Sequence, residues 1–461
     1  MHAGLAGMPS TISMIPTFIT QLPSGEETGE VWAVDMGGTN LRIIQFRMLG
    51  RGRVEQVKVH RHTIHKSLQE GPGVDLFAFV AESILAAEVP PDATLGFTFS
   101  FPVQQLSLAR GRLMSWTKGF CASGVEGMEV TGLLEQALAD VGLGGVNVIA
   151  LVNDTAGTLM AQRYRDSSCG IGVIIGTGTN AAYVEHIANI PKWTGGGAGP
   201  MVINMEWGAF GSGSGGRALL PLTDIDHRVD STTPNPGEQR FEKMISGQYL
   251  GELMRVILED LRAAGLLFVP EHIRKARAAA SKGTLTSGSS AADVAAAVSG
   301  PGAAAVDASV RLGDDDVVPL ADDTATLEVI QDLLKKHLGL RNSTVEDRRI
   351  VKDVGTLVAQ RAARLAAVGI AAVAMQMGEG SLARQVSAGI DGSVFEKHPC
   401  FKHWIEDALT ELGVSCDIQH SPDGSGLGAA IVAAAAAKAA ATTEAAVAAA
   451  AAASEAPASG K

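Results

Sequence analysis

The chain has 461 residues, of which 46% are hydrophobic and 19% charged, enough for two or three globular domains with a large core. Its formal net charge of −12 excludes a general nucleic-acid-binding protein, which would carry the opposite balance. The four cysteines form no C-x-x-C pair, so the sequence predicts no disulfide framework and no zinc site, and it favours a reducing, cytoplasmic compartment.

The first part of the chain contains two units in which a glycine turn separates two short strands. The first pairs strands at 31–34 and 41–47, and the second pairs strands at 172–175 and 180–185. Between the two units, residue periodicity predicts a helix at 75–87, a strand at 94–101, a helix at 131–141, a buried strand at 146–152 and a helix from Thr155 onward, capped by Asn153-Asp154. The repeated unit predicts two related α/β lobes with a ligand cleft between them.

The second part of the chain alternates between helical patterns and short strands. The predicted elements are helices at 237–264, 325–338, 354–377 and 401–412, strands at 385–390 and 414–418, and a turn at Asp423-Gly-Ser-Gly. Residues 278–323 are rich in Ala, Ser, Gly and Asp, which predicts a low-complexity, partly disordered insertion.

The composition of the two ends of the chain predicts neither an export signal nor a membrane span. The N-terminus has no basic region followed by an apolar region, so we expect no secretory signal. A membrane span needs about 20 strongly apolar residues. The run 431–453 is mostly alanine and is interrupted by Lys438 and Glu444, so it predicts a solvated helix followed by a frayed tail and no transmembrane segment.

Three glycine turns have the composition of phosphate-binding sites. At Asp35-Met-Gly-Gly-Thr-Asn-Leu-Arg42, paired glycines allow backbone amides to face a ligand, and Asp35 could hold a hydrated Mg²⁺. Similar turns occur at Gly176-Thr-Gly-Thr-Asn180 and at Asp423-Gly-Ser-Gly, the latter before an apolar helix. Each sequence taken alone also fits an ordinary turn.

Carboxylates near predicted strand ends are candidates for binding the hydroxyl groups of a sugar. These are Asp154, Glu206 and Glu242. Asp154 also fits a helix N-cap, and Glu242 also fits a solvent-facing helix position. The chain contains no G-x-x-x-x-G-K-[ST] motif, so a nucleotide would be held by another scheme, such as paired hairpin turns.

Seven segments, in order along the chain, resemble motifs of the eukaryotic hexokinase and glucokinase family. They are LGFTFSFPVQQ, SWTKGF, LVNDTAGTLM, GTGTNAAY, INMEWGAFG, NPGEQRFEKMISGQYLGEL and DGSVFEKHPCF. The resemblance runs from about Met14 to Ala435. It implies the actin-like ATPase (ribonuclease H-like) fold, with two lobes, each built on a five-stranded mixed sheet, around a central cleft.

The same resemblance divides the chain into domains. Residues 27–152 form the small domain, against which a C-terminal helix at about 427–441 packs, and residues 1–26 and 153–426 form the large domain. The insertion 278–323 and the Ala-rich tail 442–461 match the family poorly or not at all. Leu427 also departs from the family, which often has Lys or Arg there.

The function implied by the resemblance is that of a hexokinase, the enzyme of the first step of glycolysis, acting as a monomer or homodimer. It would phosphorylate the 6-hydroxyl of glucose and related hexoses with Mg-ATP, with Asp154 as catalytic base and Lys118 stabilising charge. The implied sugar-binding residues are Ser100, Thr117, Lys118, Asn153, Asp154, Asn180, Glu206 and Glu242. The implied ATP-binding residues are Asp35, Gly37, Gly38, Thr39, Asn40, Arg42, Thr177, Gly178, Gly424 and Ser425.

Two other functions are compatible with this fold. A non-catalytic sugar sensor would lack the base or the phosphate turns, and a chaperone-like or actin-like ATPase would lack the SFP and TKGF segments. Asp154, both hairpin turns and both segments are present, so the sequence favours the enzyme.

Overall fold

The computed structural model describes residues 1–117, 119–213, 219–269, 327–338, 340, 343–378 and 386–454. The predicted charge-stabilising residue Lys118, the predicted insertion 278–323 and residues 455–461 of the predicted tail lie outside the described residues.

The described part of the chain is a mixed α/β structure. Its strands are β1 (Ile15–Pro16), β2 (Thr28–Met36), β3 (Asn40–Gly50), β4 (Arg53–Thr63), β5 (Thr94–Phe99), β6 (Val103–Gln105), β7 (Gly111–Leu113), β8 (Asn147–Val152), β9 (Cys169–Ile175), β10 (Thr179–His186), β11 (Pro200–Asn204), β12 (Val386–Asp391) and β13 (Cys416–His420). Its α-helices are α1 (His2–Leu5), α2 (Lys66–Glu70), α3 (Gly73–Ala86), α4 (Val130–Asp140), α5 (Asp154–Arg165), α6 (Asp224–Thr232), α7 (Arg240–Ile245), α8 (Gly247–Ala263), α9 (Leu327–Leu338), α10 (Val345–Met377), α11 (Ser393–Lys397), α12 (Phe401–Glu411) and α13 (Gly424–Ser454).

The first lobe contains a five-stranded sheet in the order β4-β3-β2-β5-β8. β2, β3 and β4 form an antiparallel meander, and β5 and β8 run parallel to β2. β2 is buried on both faces from Val31 to Met36, as expected for a strand in the middle of a covered sheet. Helices α3 and α4 pack on one face and complete an apolar core that includes Phe97 and Leu134.

The second lobe contains a sheet in the order β1-β11-β10-β9-β12-β13. The expected five-stranded sheet is therefore six-stranded, because Ile15–Pro16 pairs with β11 at its edge. This strand was not predicted, because the paired segment is only two residues long and contains a proline, a residue found in sheets mainly at their edges. The two sheets and their helices form the two lobes of the actin-like fold, as expected.

Helices α5 and α13 lie together in an apolar core shared by both sheets. At two points in this core, the backbones of neighbouring elements lie so close together that no side chain fits between them. A Cβ added to Gly428 of α13 would lie 1.9 Å from the carbonyl oxygen of Gly157 on α5. One added to Gly96 of β5 would lie 2.2 Å from the carbonyl oxygen of Ala429. Glycine is therefore required at both crossings.

Several predicted elements have different bounds in the structure. The single helix expected at 237–264 is two helices, because Ser246 has an extended backbone and the next residue, Gly247, bonds to Gly176 instead. α10 starts earlier than the predicted Val354, because Thr344 forms a capping box with Asp347.

The C-terminal elements also differ from their predicted bounds. β13 starts at Cys416 instead of 414, because the N–H of Val414 still bonds to Leu409 at the end of α12. α13 is longer than the predicted 427–441, and its first part is buried instead of solvated, with Ile431 fully buried in the shared core.

Two of the described helices are long and apolar enough to cross a membrane by length and composition. They are α10 and the segment Gly424–Thr442 of α13, whose most apolar windows are 50% and 56% buried inside the protein. Core helices of soluble proteins share these properties, so the two helices do not establish a membrane span.

Candidate active site

The parallel strands of the first lobe bring three predicted site segments to one edge of the sheet. Thr98 of β5 lies opposite Val152 of β8, so Ser100 and Asp154 follow neighbouring strand ends. Met36 at the end of β2 lies beside Phe99, and the Ser100 N–H donates to the Met36 carbonyl oxygen at 3.2 Å. The first glycine turn, the SFP loop and the start of α5 therefore lie side by side.

Asn153 and Asp154 form the start of α5. Asn153 is the N-cap, and its Oδ1 accepts hydrogen bonds from the Thr155 N–H, at 3.0 Å, and from the Thr155 hydroxyl. The Asp154 Oδ1 also accepts from the Thr155 N–H, at 2.8 Å. The predicted cap therefore exists, and it is supplied first by Asn153, which leaves the half-buried Asp154 carboxylate at the sheet edge.

A chain of polar side chains connects the start of α5 to the second lobe. The Asn180 Nδ2 donates to the Asn204 Oδ1 at 2.8 Å and to the Glu206 Oε1 at 3.2 Å. The Asn204 Nδ2 donates to the same Glu206 oxygen at 2.8 Å, and the Thr155 hydroxyl reaches the Asn204 Oδ1 at 3.4 Å. This amide–carboxylate network, Asn153-Thr155-Asn204-Asn180-Glu206, is a prepared set of donors and acceptors for a ligand rich in hydroxyl groups.

Glu206 and Glu242 are fixed by local backbone features. Glu206 has a left-handed conformation with φ 56°, and the following Trp207 N–H donates to the Asn180 Oδ1 at 3.3 Å. The Glu242 Oε2 accepts from the Thr179 N–H at 3.0 Å. A Cβ at Gly178 would lie 2.8 Å from that same oxygen, so a larger residue there would displace the Glu242 carboxylate from its present position.

Thr117 lies in an exposed loop whose position depends on aromatic packing. The Phe120 N–H donates to the Thr117 carbonyl oxygen at 3.1 Å. The rings of Trp116 and Phe120 stack with centroids 5.2 Å apart, and Phe101 meets Trp116 edge-on at 4.8 Å. The loop that carries Thr117 is thus attached to the SFP loop that carries Ser100.

The first glycine turn meets the start of α13 through Arg42. The Arg42 guanidinium donates to Asp35, at 3.0 Å from Nε, to the Ser425 hydroxyl at 3.3 Å and to Asp423. The Ser425 hydroxyl in turn donates to the Asp35 Oδ2 at 3.0 Å. Burial alone would lower the pKa of Arg42, but the adjacent Asp35 and Asp423 raise it, so a fixed positive charge lies at this position.

A further carboxylate, Asp391, lies beside the same group. Its Oδ2 accepts from the Gly424 N–H at 3.0 Å, and its Oδ1 accepts from the Gly392 N–H at 2.7 Å. Burial raises the pKa of Asp391, against the opposing effect of these two N–H groups and of Arg42. Asp391 thus holds the start of α13 against the end of β12.

The two hairpin turns present different groups. In the first, the Gly37 N–H donates to the Asn40 carbonyl oxygen at 3.0 Å, and Thr39 and Asn40 are exposed at the tip beside Gly38. In the second, the carbonyl groups of Gly176 and Thr177 accept from the first N–H groups of α8, at 2.8 and 3.2 Å. The Thr177 side chain is exposed.

The structure brings half of the predicted site residues together in two groups. Asn153, Asp154, Asn180, Glu206 and Glu242 belong to the first group, and Asp35, Arg42, Gly424 and Ser425 to the second. The sequence did not identify Asn204, Asp391 or Asp423 as site residues. Asn204 lies two positions before Glu206, in the same INMEWGAFG segment, and that spacing was the available signal, because alternate strand residues share a face.

Among the described residues, no group of three or more His, Cys, Asp or Glu side chains could hold a metal ion. Asp35 and Asp423 are both engaged by Arg42.

Comparisons with known proteins identify the family of the chain. Two family models, both described as hexokinase, match residues 1–164 and 170–435. The chain is 37% identical over 447 residues to human hexokinase-3, covering 94% of this chain and 44% of the human protein. It is 37% identical over 457 residues to tobacco hexokinase-1, covering 94% of this chain and 84% of the tobacco protein. The chain thus spans less than half the length of the human relative.

Among solved structures, a hexokinase from Schistosoma mansoni complexed with glucose has a similar fold. Its TM-score is 0.75 at 33% sequence identity, and the match covers 94% of this chain and 92% of that one. The two family models together cover both lobes and every described residue of the two groups above. The chain belongs to the hexokinase family.

Proposed function

We propose that this chain is an ATP-dependent hexokinase that transfers a phosphoryl group from Mg-ATP to the 6-hydroxyl of glucose and related hexoses. The observation that carries the proposal is the network Asn153-Thr155-Asn204-Asn180-Glu206, which extends from the start of α5, beside the Asp154 carboxylate, into the second lobe. Family membership supports it, as does the fold shared with a hexokinase solved with glucose.

The sugar would bind between the strand ends of the first lobe, which carry Ser100 and Asp154, and the part of the network that contains Asn180 and Glu206. Carboxylates accept from sugar hydroxyls, and amides both donate and accept, so together they distinguish the positions of several hydroxyl groups. We assign this role to Asn153, Asp154, Asn180, Glu206 and Glu242. Ser100 and Thr117 would contact the sugar from the first lobe.

Asp154 would act as the catalytic base. It would accept the proton of the 6-hydroxyl while that oxygen bonds to the γ-phosphorus and the bond to the departing ADP oxygen breaks. The half-buried position of Asp154, at the edge of the sheet, suits this role. Lys118 would neutralise charge on the sugar and phosphate oxygens, a role that rests on the TKGF motif.

ATP would lie between the two hairpin turns and the start of α13. Arg42 would offer a fixed positive charge, and the turn residues Gly37, Gly38, Thr39, Asn40, Thr177 and Gly178 would offer backbone and side-chain donors to phosphate oxygens. Gly424 and Ser425 would lie near the adenosine. When bound with ATP, Mg²⁺ neutralises charge on the phosphate oxygens. Asp35 would hold that ion through water.

A coupled assay that follows ADP release and hexose 6-phosphate formation tests the proposal. Glucose, fructose and mannose are each offered with ATP and with a second phosphoryl donor. We expect equal amounts of ADP and sugar phosphate. Glucose binding without ADP release would indicate a sugar sensor, and ADP release without sugar phosphate would indicate an ATPase. Either result would overturn the proposal.

A further inference from the structure

A buried ion pair lies behind the second lobe's part of the sugar site. The Lys243 Nζ is 2.6 Å from the Asp230 Oδ1, and the two side chains are only 5% and 17% exposed. The same Nζ donates to the Asn235 carbonyl oxygen at 2.8 Å. Lys243 of α7 thus binds both α6, through Asp230, and the loop between the two helices.

Asp230 holds that loop from its other side. Both oxygens of Asp230 accept from the Gly237 N–H, at 3.0 and 2.9 Å. The loop also bonds to the segment after Glu206, because the Gln239 N–H donates to the Ser212 hydroxyl at 2.9 Å. The Asp230 carboxylate therefore holds the loop, through Gly237, and the helix that follows it, through Lys243.

Helix α7 depends on such external contacts. It has six residues and no side-chain cap, and it follows Gln239, whose backbone is left-handed with φ 50°. A helix of this length is not stable alone, so tertiary contacts must set its orientation. On its apolar side, Phe241 meets the Trp207 ring edge-on at 5.6 Å. On its polar side, α7 is held by the ion pair and by Arg240, whose Nη1 donates to the carbonyl oxygens of Gly211 and Gly213 at 2.9 and 2.8 Å.

The position of α7 decides where the Glu242 carboxylate lies. Glu242 precedes Lys243 directly and bonds to the Thr179 N–H in the second glycine turn. Burial raises the pKa of Tyr249, at the start of α8, to about 12, and the charges of Glu242 and Asp230 raise it further. Because Glu242 and Lys243 are consecutive residues of one short helix, they move together. A change in the ion pair would therefore be felt at Glu242.

We propose that Lys243 and Asp230 are positioning residues of the sugar site, which hold α7 and its preceding loop so that Glu242 meets the hexose in one fixed geometry. The proposal rests on the proposed function. A buried ion pair gives little net stability over an apolar pair, because the loss of hydration offsets the attraction. Its main effect here is to select one placement of α7.

The chain offers a matched control on the same helix. Asp226, one turn before Asp230, pairs with Arg361 of α10 at 2.8 Å and is also buried. Its other side-chain bonds go to Thr223 at the start of α6. Loss of this pair would loosen α6 without releasing the loop or Glu242.

The main variant is the double substitution Asp230→Asn with Lys243→Met, and the control is the matching double substitution Asp226→Asn with Arg361→Met, so that neither variant leaves an unpaired buried charge. We expect the main variant to raise the KM for glucose about tenfold or more, because Glu242 no longer lies in its binding geometry, with the KM for ATP nearly unchanged. The control variant should keep the glucose KM. Hydrogen exchange in residues 233–239 should be faster only in the main variant.

The Glu242→Gln background separates positioning from general destabilisation. If the ion pair acts through Glu242, adding the main double substitution to Glu242→Gln should change the glucose KM little, because effects on one shared contact are not additive. A full additive rise in KM would overturn the proposal. So would a wild-type glucose KM in the main variant. If the wild-type chain phosphorylates no hexose, the proposed function has failed, and the exchange measurement alone then decides whether the pair holds the loop.

Discussion

Asn153 and Asp154 are neighbours at the start of α5, yet their roles differ. Asn153 accepts from both the N–H and the hydroxyl of Thr155, so it satisfies the helix start and connects it to Asn204. The Asp154 carboxylate adds one bond to the same N–H. The start of α5 therefore does not depend on Asp154 alone. This agrees with a catalytic role for Asp154, because the helix keeps a cap while the carboxylate takes part in chemistry.

Replacing Asp154 with alanine should abolish most turnover and preserve sugar binding. We expect kcat to fall by about 10²- to 10⁴-fold, the usual contribution of a general base. Glucose binding, followed by calorimetry, should weaken only a few-fold, because the network from Asn153 to Glu206 remains. The control is Asp140→Ala, at the exposed end of α4. Wild-type turnover in the Asp154 variant would remove it as the base.

The cysteines should differ strongly in their reaction with alkylating reagents. Burial raises the pKa of Cys169 to about 11 and that of Cys416 to about 12, so both remain thiols at neutral and mildly alkaline pH. Only the thiolate reacts readily. Cys121 is exposed and should be modified first, as mass spectrometry after N-ethylmaleimide treatment would show. Modification of Cys169 in folded protein at the rate of Cys121 would contradict this.

Single site residues were predictable where the sequence carries a specific motif. Asn180, Glu206 and Asp154 were predicted in this way, and the structure places them close together, because the Asn180 amide bonds to Glu206 and to Thr155, the neighbour of Asp154. Asn204 and Asp391 were missed, although both lie in family motifs and Asn204 is two positions before Glu206. Their roles arise from neighbours distant in sequence, such as Thr155 and Gly424.

At the level of elements, the crossing of α13 with α5 depends on the absence of a side chain at Gly428. Alanine has the higher helix propensity, by about 1 kcal/mol. The clash with the Gly157 carbonyl oxygen, at 1.9 Å, involves backbone atoms that cannot move aside locally. The clash should therefore outweigh the gain in propensity.

We expect Gly428→Ala to lower the free energy of unfolding by about 1–3 kcal/mol or more, the usual cost of overpacking. Urea unfolding followed by circular dichroism measures the change. The matched control is Gly144→Ala, where the added Cβ would have its nearest contact at 3.6 Å. Equal stability of the Gly428 variant and wild type would show that the two helices can separate without cost.

Most helices and strands of the described chain were predicted from periodicity. Two of the misplaced bounds depend on hydrogen bonds that periodicity does not reveal. The break at Ser246 and the late start of β13 are set by bonds to residues elsewhere in the fold or at the end of the preceding helix. The earlier start of α10 was visible in principle, since Thr344 and Asp347 have capping-box spacing. Local propensity carries no information about contacts between residues that are distant in the sequence, such as the bond from Gly247 to Gly176.

For the whole molecule, the proposed sugar site takes residues from both lobes, with Ser100 following β5 and Glu206 following β11. A bound hexose would join the lobes and stabilise the folded state by mass action. At a glucose concentration near 100 times Kd, we expect about 2.7 kcal/mol of added stability. Differential scanning fluorimetry should show a higher Tm with D-glucose. An equal rise with L-glucose would mean a nonspecific solute effect.

The order of strands in the two sheets was not derivable from local patterns. Ser387 of β12 lies beside Cys169 of β9, although these two strands are far apart in the sequence. Neither the repeated glycine-turn unit nor the family resemblance specified such pairings, although both predicted the two lobes. The sixth strand of the second sheet was missed, because Ile15–Pro16 forms a strand only where β11 offers its edge.

The position of α13 has a consequence for synthesis of the chain. Ser425 bonds to Asp35, 390 positions earlier, and α13 covers one face of β2 and β5. At usual translation speeds of 5–20 residues per second, roughly 20 to 80 seconds pass between the emergence of these partners. Until α13 has been made, the apolar core that it shares with α5 and both sheets lacks one of its helices. The first lobe can therefore complete its packing only at the end of synthesis.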